Sequence, residues 1–252
     1  RFDNQLGKFD GQRCPQSPSY DSGQGDKAAV TRLFFCILSI LFLISCGAGH
    51  IPAWKQNAAA DTANFIETSF VGNESYASKY FDKLLEDFRM TVDPDEIVKA
   101  YLTKCVVRFA LLEYSECREV AEMLPLLKNE ENTAYYNFVS GKARKSEDFP
   151  KKYRDIFEIS QNCNVEKANS ELSSEKNPTT LLIKASFLVK NNCYDAETAG
   201  FAIKAASKEG WKKVVLKYLA LQLSYFEKHG DMQNAELLKK RMELVVSEEL
   251  PE

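Results

Sequence analysis

Apolar residues from position 61 onward recur at the spacing of an α-helix rather than a β-strand. The first apolar stripe comprises Tyr76, Tyr80, Phe81, Leu84, Leu85 and Phe88. A second stripe comprises Ile97, Val98, Tyr101, Leu102, Cys105, Val106 and Phe109. Side chains three or four positions apart share one face of a helix, and no stretch alternates in the manner of a half-buried strand. The sequence therefore predicts an all-α protein.

Residues that begin and end helices lie where this pattern needs them. Asp93-Pro94-Asp95-Glu96 combines an N-cap, a proline at the first helical position and a capping-box glutamate. Asn177-Pro178 begins another helix in the same way, and Gly210 and Gly230 lie where C-terminal caps are expected. The turns between these helices are short, which predicts that neighbouring helices are antiparallel.

The composition excludes several classes of function. The chain has 252 residues, of which 44% are hydrophobic, so it can bury a core. Its 33 Lys and Arg residues against 36 Asp and Glu residues give a net charge of −3, which disfavours nucleic acid as a partner. Two histidines and the lack of any nucleophile, phosphate-loop or metalloprotease motif predict no catalytic residues, no metal and no cofactor. We therefore expect no enzyme; a hydrolase would need buried carboxylates clustered in a cleft.

A charge-free run from Leu33 to Cys46 follows two basic residues and has the layout of an export signal. It ends in Leu43-Ile44-Ser45-Cys46, which resembles the lipobox of bacterial lipoproteins. The resemblance implies cleavage before Cys46 and lipidation of its thiol by acyl chains such as palmitate. It places the protein in the bacterial cell envelope, lipid-anchored and facing the periplasm or the cell surface, with the outer membrane favoured. The alternative is a signal-anchor helix, for which the apolar run is short.

This interpretation divides the chain into three parts. Residues 1–45 are a leader and signal peptide that are removed, and residues 46–60 form a lipidated tether. Glycine, proline and polar residues in the tether are typical of a flexible linker. Residues 61–252 form the helical domain.

The last part of the helical domain resembles a tetratricopeptide-repeat (TPR) hairpin. In the segment from Tyr218 to Val246, Tyr225-Phe226 ends a first helix, Gly230-Asp231 forms the turn, and Ala235 is the small residue of a second helix. Equivalent first-helix positions recur earlier at Tyr101, Tyr136, Leu181 and Leu219, at intervals of 35, 45 and 38 residues. The TPR period is about 34 residues. The resemblance implies helical hairpins stacked as a right-handed α-solenoid; the alternative is an irregular helical bundle.

Four cysteines remain after the signal segment and Cys46, namely Cys105, Cys117, Cys163 and Cys193. Disulfides are expected in an exported protein, and four cysteines allow three connectivities. Cys105 and Cys117 can be bridged if they lie on facing helices of one hairpin. Cys163 and Cys193 can meet if residues 164–177 add a helix that reverses the chain. The alternative is four free thiols that pack as small apolar residues.

A stacked array of hairpins offers a concave surface that binds extended peptides or helices. The residues aligned to that groove form a mildly basic strip, consisting of Asn137, Arg144, Lys145, Lys190, Lys217 and Lys228. Such a strip favours an acidic peptide segment of an envelope protein as the partner. The sequence thus predicts a lipid-anchored extracytoplasmic scaffold that mediates protein–protein interaction in an envelope complex. Alternatively, it is an accessory ligand- or lipid-handling protein of an uptake system, with a pocket walled by Tyr135, Tyr136, Phe138, Phe187 and Tyr194.

Overall fold

A computed structural model describes residues 51–246 of the chain, and from Trp54 onward these residues belong to one compact unit. The all-α prediction is confirmed, since the described residues form α-helices joined by turns and short 3-10 helices, with no strand among them. The α-helices are α1 (Ala53–Val71), α2 (Glu74–Arg89), α3 (Pro94–Ala110), α4 (Arg118–Met123), α5 (Glu130–Ser140), α6 (Arg154–Gln161), α7 (Val165–Ser174), α8 (Pro178–Lys190), α9 (Ala196–Glu209), α10 (Lys212–Lys228) and α11 (Met232–Val246).

Several helices begin and end as their sequences predict. The Asp93 side chain accepts a hydrogen bond from the Asp95 amide at the start of α3, and the Asn177 side chain accepts from the Thr180 amide at the start of α8. α9 ends at Gly210, which has a left-handed backbone with φ of 76°. Residues with a Cβ rarely adopt this conformation, so glycine suits the position.

The tether predicted over residues 46–60 requires a correction. α1 begins at Ala53, and Ala58 is fully buried in a small apolar cluster with Leu84 and Phe88 of α2. Residues 54–60 are therefore part of the folded unit, which begins before residue 61. The alanine triplet explains the difference, because alanine has the highest helix propensity and is small enough for close helix packing. Cys46 and the remainder of the predicted leader lie outside the described residues.

α3 lies at the centre of the helical packing and contacts α2, α4, α5 and α8. Tyr218 of α10 connects three helices, because its buried hydroxyl lies 3.2 Å from the Ala110 carbonyl oxygen and 3.1 Å from that of Leu182. The helices α8 to α11 pack in chain order, each against the next. No helix between residues 51 and 246 is long and apolar enough to span a membrane.

α8 is buried on all sides, since every residue from Thr180 to Leu188 is buried. This run includes Lys184, whose ammonium forms ion pairs of 2.7 Å with Glu171 and 2.8 Å with Glu175. Burial alone would lower the pKa of Lys184, but the hydrogen bonds to these two carboxylates outweigh it and raise the pKa. Pairing thus allows a charged residue within a buried helix.

Candidate functional site

The residues predicted to form one basic strip lie in different places. Arg144 and Lys190 line the same pocket, whereas Lys217 lies at a separate cleft. Asn137, Lys145 and Lys228 line neither. Lys228 is exposed at the end of α10, and the Lys145 amide donates to Asp148 at the start of a 3-10 turn. The structure therefore brings together two of the six predicted residues.

The pocket that contains Arg144 and Lys190 has a volume of about 320 Å³ and is named here the aromatic pocket. Four phenylalanines form its walls and two cations lie beside them, namely Phe138, Phe149, Phe157, Phe187, Arg144 and Lys190. Gly141, Ala143, Gln161 and Asn191 complete the lining. No acidic residue lines it. Its walls come from α5, α6, α8 and the segment before α6, so residues distant in the chain build one site.

Ring contacts hold the walls of the aromatic pocket in place. The centroids of Phe149 and Phe157 lie 4.3 Å apart, and that of Phe187 lies 5.3 Å from Phe138 and 5.5 Å from Phe149. Tyr153 stacks on Phe138 from the core side at 4.8 Å. Because aromatic pairs at such distances add to the energy of burial, the walls are rigid parts of the core.

Two of the five aromatic residues predicted to wall a pocket, Phe138 and Phe187, line the aromatic pocket, and the three tyrosines do not. Tyr135 packs against Tyr153, and Tyr136 accepts a hydrogen bond from the Lys142 ammonium at 2.6 Å. Tyr194 lies near Tyr225, at a centroid distance of 6.0 Å.

Lys190 is half-buried at the end of α8, and its ammonium contacts apolar and neutral groups. The Nζ atom donates to the Val139 carbonyl oxygen at 3.1 Å and lies 5.4 Å and 5.6 Å from the ring centroids of Phe109 and Tyr114. Burial lowers the pKa of Lys190. No carboxylate in the described part of the chain forms an ion pair with it.

Gly141, which ends α5, permits this position of the lysine. A Cβ at residue 141 would lie 3.0 Å from the Lys190 Nζ atom, and the backbone φ of +74° disfavours other residues as well. Arg144 follows closely in the chain; its side chain is exposed, and its amide donates to an Asp148 carboxylate oxygen at 3.1 Å. Two cations thus lie beside one aromatic cavity.

A second concave region, named here the α1–α10 cleft, has a volume of about 420 Å³. Its apolar lining residues are Phe65, Ala77, Phe81, Val107 and Leu111. Its charged residues are Glu74, Lys104, Arg108, Glu113 and Lys213. It adjoins a depression of about 460 Å³ that shares Glu74 and Lys213 and adds Lys212 and Lys217. α1 is connected to the start of α10 by the Trp211 indole N–H, which donates to Glu67 at 2.7 Å.

Charges in the α1–α10 cleft are paired. Glu113 lies 3.6 Å from Arg108, 3.5 Å from Lys213 and 3.3 Å from Lys217. Lys213 also forms an ion pair of 2.6 Å with Glu74. Burial alone would lower the pKa of Lys213, but the hydrogen bond to Glu74 and the charge of Glu113 raise it. Glu113 follows α3 without any periodic or motif signal, so the sequence did not indicate its role.

The chain matches no protein-family model, no curated protein and no solved structure.

The four cysteines form two close pairs. Cys105 and Cys117 are joined by a disulfide with a Cα–Cα distance of 5.9 Å. Cys163 is free and exposed, and its thiol donates to the Asn192 carbonyl oxygen at 3.9 Å; the neighbouring Cys193 is free and fully buried. Burial, followed by the contact with Cys163, raises the pKa of Cys193 to about 12. Helix α7 lies within residues 164–177, where an additional helix was predicted to bring Cys163 and Cys193 together.

One carboxylate in residues 51–246, that of Asp87, is buried apart from both concave regions. Asp87 is buried, its Oδ2 atom has no hydrogen-bond partner, and burial followed by the charges of Asp61 and Glu86 raises its pKa. It lines neither the aromatic pocket nor the α1–α10 cleft. No group of three or more His, Cys, Asp or Glu residues in this part of the chain could hold a metal ion.

Proposed function

We propose that this protein is a lipid-anchored extracytoplasmic scaffold that mediates protein–protein interaction in a bacterial envelope complex. The observation that carries the proposal is the α1–α10 cleft, which combines an apolar floor with a charged rim and continues into a second depression. Grooves of this kind bind an amphipathic helix or an extended segment of a partner protein. The lipobox-like Leu43-Ile44-Ser45-Cys46 supports the anchor and the compartment.

The partner that fits this cleft is an acidic segment with apolar side chains. Lys104, Arg108 and Lys213 line the cleft, and Lys217 lies at the adjoining depression. Glu74 and Glu113 are the acidic lining residues, so cations outnumber acids around it. A partner carboxylate would pair with the partly exposed Lys104 or Lys217, while the partner's apolar side chains contact Phe65 and Phe81. Charge attraction of this type mainly accelerates association and selects the partner.

A TPR-like, right-handed solenoid is part of the proposal. The packing of α8 to α11 in chain order supports it, because each unit of such an array contacts its neighbours. The contacts of α3 with α8, and of Tyr218 with the end of α3, join helices far apart in the chain and favour the alternative of an irregular bundle there. The proposed cleft function needs only the observed helix packing.

Site-specific cross-linking in cells tests the scaffold. A photoreactive amino acid replaces Ser78, which is exposed and lines the α1–α10 cleft, or Ser207, an exposed residue of α9 that serves as the control. We expect one defined envelope protein to be cross-linked from position 78 and not from position 207. Charge reversal by Lys104→Glu should weaken that cross-link. Equal labelling from both positions, or no cross-linked protein, would contradict the proposal.

The lipid anchor is tested separately. Cells grown with an alkyne analogue of palmitate should label the wild-type chain, and Cys46→Ala should abolish the label. Cys36→Ala is the matched control, because that cysteine lies in the same segment but outside the lipobox-like motif. Persistent labelling of Cys46→Ala would show that another residue carries the lipid.

A second candidate function is ligand handling for an uptake system, and the aromatic pocket favours it. Its volume of about 320 Å³ suits a small molecule, and four phenylalanines with two polar cations match the usual composition of ligand sites. If this function is correct, a Phe187→Ala variant loses binding of small ligands but keeps the cross-link from position 78. The two functions are therefore separable by experiment.

A further inference from the structure

The ammonium of Lys190 lies beside an apolar cavity and has no acidic partner among residues 51–246. Its described contacts are the Val139 carbonyl and the faces of Phe109 and Tyr114. Removing a charge from water is costly unless an opposite charge compensates it. The buried Lys184 and the partly buried Lys213 and Lys239, whose pKa values are shifted upward, all have carboxylate partners. Lys190 thus stands out as a cation suited to an anion from outside the chain.

Lys190 is also held in position before any ligand binds. Tyr114, which lies beside the ammonium, donates its hydroxyl to the Ser186 carbonyl oxygen at 2.9 Å. Gly141 leaves room for the ammonium, because a Cβ at this position would lie 3.0 Å from the Nζ atom. A cation that is already ordered loses little entropy when an anion binds, and this favours affinity.

The rest of the aromatic pocket determines what the anion must be attached to. The walls are edges and faces of packed phenylalanine rings, and Arg144 is a second cation in its lining. A volume of about 320 Å³ is at the small end for ligand sites, enough for one ring-sized group and a short acidic arm. A bare inorganic anion would leave the apolar walls unused, and a neutral aromatic compound would leave Lys190 unpaired.

We propose that the aromatic pocket binds a carboxylate carried by an aromatic or branched apolar group, with Lys190 and Arg144 as its charge partners. The inference rests on the second candidate function and names its ligand class. Two sources share this chemistry. One is a free aromatic carboxylic acid, and the other is the C-terminal residue of a polypeptide, whose carboxylate and side chain would occupy the same positions.

Nuclear magnetic resonance titration of the full chain in detergent micelles tests the proposal. The probes are 3-phenylpropionate and the N-acetylated tripeptide Ala-Ala-Phe, and each is compared with the neutral compound in which a primary amide replaces its carboxylate. We expect the acids to shift the amide signals of Gly141, Phe187 and Asn191, and the neutral amides to bind roughly tenfold or more weakly, because a hydrogen bond to a charged group is lost. Binding of the small acid indicates a free metabolite, and binding of the peptide alone indicates a protein C-terminus.

Substitutions test whether Lys190 and Arg144 are the residues that bind the carboxylate. Lys190→Met, which keeps the side-chain length and removes the charge, should weaken acid binding by roughly tenfold, whereas the exposed Lys228→Met control should leave it unchanged. Arg144→Gln alters an exposed residue and remains informative if Lys190→Met fails to fold. The proposal is overturned if no probe binds, or if both pocket variants bind as wild type does. Equal binding of acids and amides overturns the carboxylate assignment but leaves ligand handling standing, and the cross-link from position 78 is independent of all these results.

Discussion

The aromatic pocket and the α1–α10 cleft are built from similar residues but differ in how their charges are compensated. Each combines phenylalanine rings with lysine and arginine side chains. In the cleft, Glu113 lies within ion-pair distance of three cations from two helices. In the pocket, Lys190 has no such partner among the described residues. Charge pairing, and not composition, separates the two regions: most cations of the cleft have an acidic partner within the fold, whereas Lys190 of the pocket has none among the described residues.

The two regions also differ in how deeply their walls are embedded in the core. Phe138 is almost fully buried and contacts Phe109, Phe149, Tyr153 and Phe187. Phe81 in the cleft is half-buried. The four phenylalanines of the pocket are all buried in the main core, whereas the cleft is lined both by buried core residues such as Phe65 and Leu111 and by the half-buried Phe81.

The largest expected effect comes from truncating these walls. Phe138→Ala should lower the free energy of unfolding by about 3–5 kcal/mol, as is typical for a buried phenylalanine. Phe81→Ala should cost less than about 3 kcal/mol, because its ring is already half in water. Urea denaturation followed by circular dichroism measures both values. Equal losses in the free energy of unfolding would show that Phe138 and Phe81 are equally embedded in the core.

The disulfide links the two regions, because the loop between Cys105 and Cys117 carries both Glu113 of the cleft and Tyr114 beside Lys190. The double variant Cys105→Ala/Cys117→Ala should lower the free energy of unfolding by about 2–4 kcal/mol, the usual value for a loop of this length. It should also broaden the signals of Glu113 and Tyr114. The matched control Cys163→Ala, which removes a free exposed thiol, should change stability little. A double variant as stable as wild type would contradict this role.

Removing the central acid of the cleft tests charge pairing directly. Glu113→Gln should destabilise the fold by about 1 kcal/mol, since partly exposed ion pairs contribute about 0.2–1 kcal/mol each. The loss should shrink at high salt because screening weakens the same pairs in wild type. Thermal melting at low and high ionic strength measures it. Glu236→Gln, an exposed acid whose pair with Lys240 is 4.0 Å long, provides a control with a smaller expected loss.

The smallest expected effect is on how the stability of the fold depends on pH. Lys213 and Lys190 should contribute to this dependence with opposite signs. The pKa of Lys213 is raised in the fold, so its ion pairs stabilise the protein below the ordinary pKa of 10.5, and this stability is lost as the pH rises through the raised pKa. The pKa of Lys190 is lowered, so its charge destabilises the fold at neutral pH, and stability is regained as the pH rises from the lowered pKa to 10.5.

Urea titrations of wild type, Lys190→Met and Lys213→Met from neutral pH to about pH 11 measure this difference. Relative to Lys190→Met, wild type should gain stability with pH; relative to Lys213→Met, it should lose stability. Subtracting each variant from wild type removes the titration of Tyr114, whose pKa is about 12. If both stability differences changed with pH in the same direction, the opposite electrostatic roles of Lys190 and Lys213 would be contradicted.

Much of the local structure could be predicted because it depends on neighbours in the chain. The caps at Asp93, Asn177 and Gly210 were recognisable because their hydrogen bonds connect residues within one helical turn. The start of α1 was not, since the glycine and proline near residue 50 suggested a linker. Only the tertiary structure shows that Ala58, in the alanine triplet after this glycine and proline, packs in a helix against Leu84 and Phe88.

The sequence by itself determined the helical content, the positions of several helix ends and the apolar faces, because these follow from side-chain spacing and from interactions over three or four residues. The tertiary structure decided that Arg144 meets Lys190 at one pocket, that Glu113 meets lysines about a hundred positions later, and that Lys217 lies apart from both Arg144 and Lys190. Hydrophobic periodicity states which face of a helix is buried but not which distant helix covers it. The partners of a charge are therefore known only once the helices are packed.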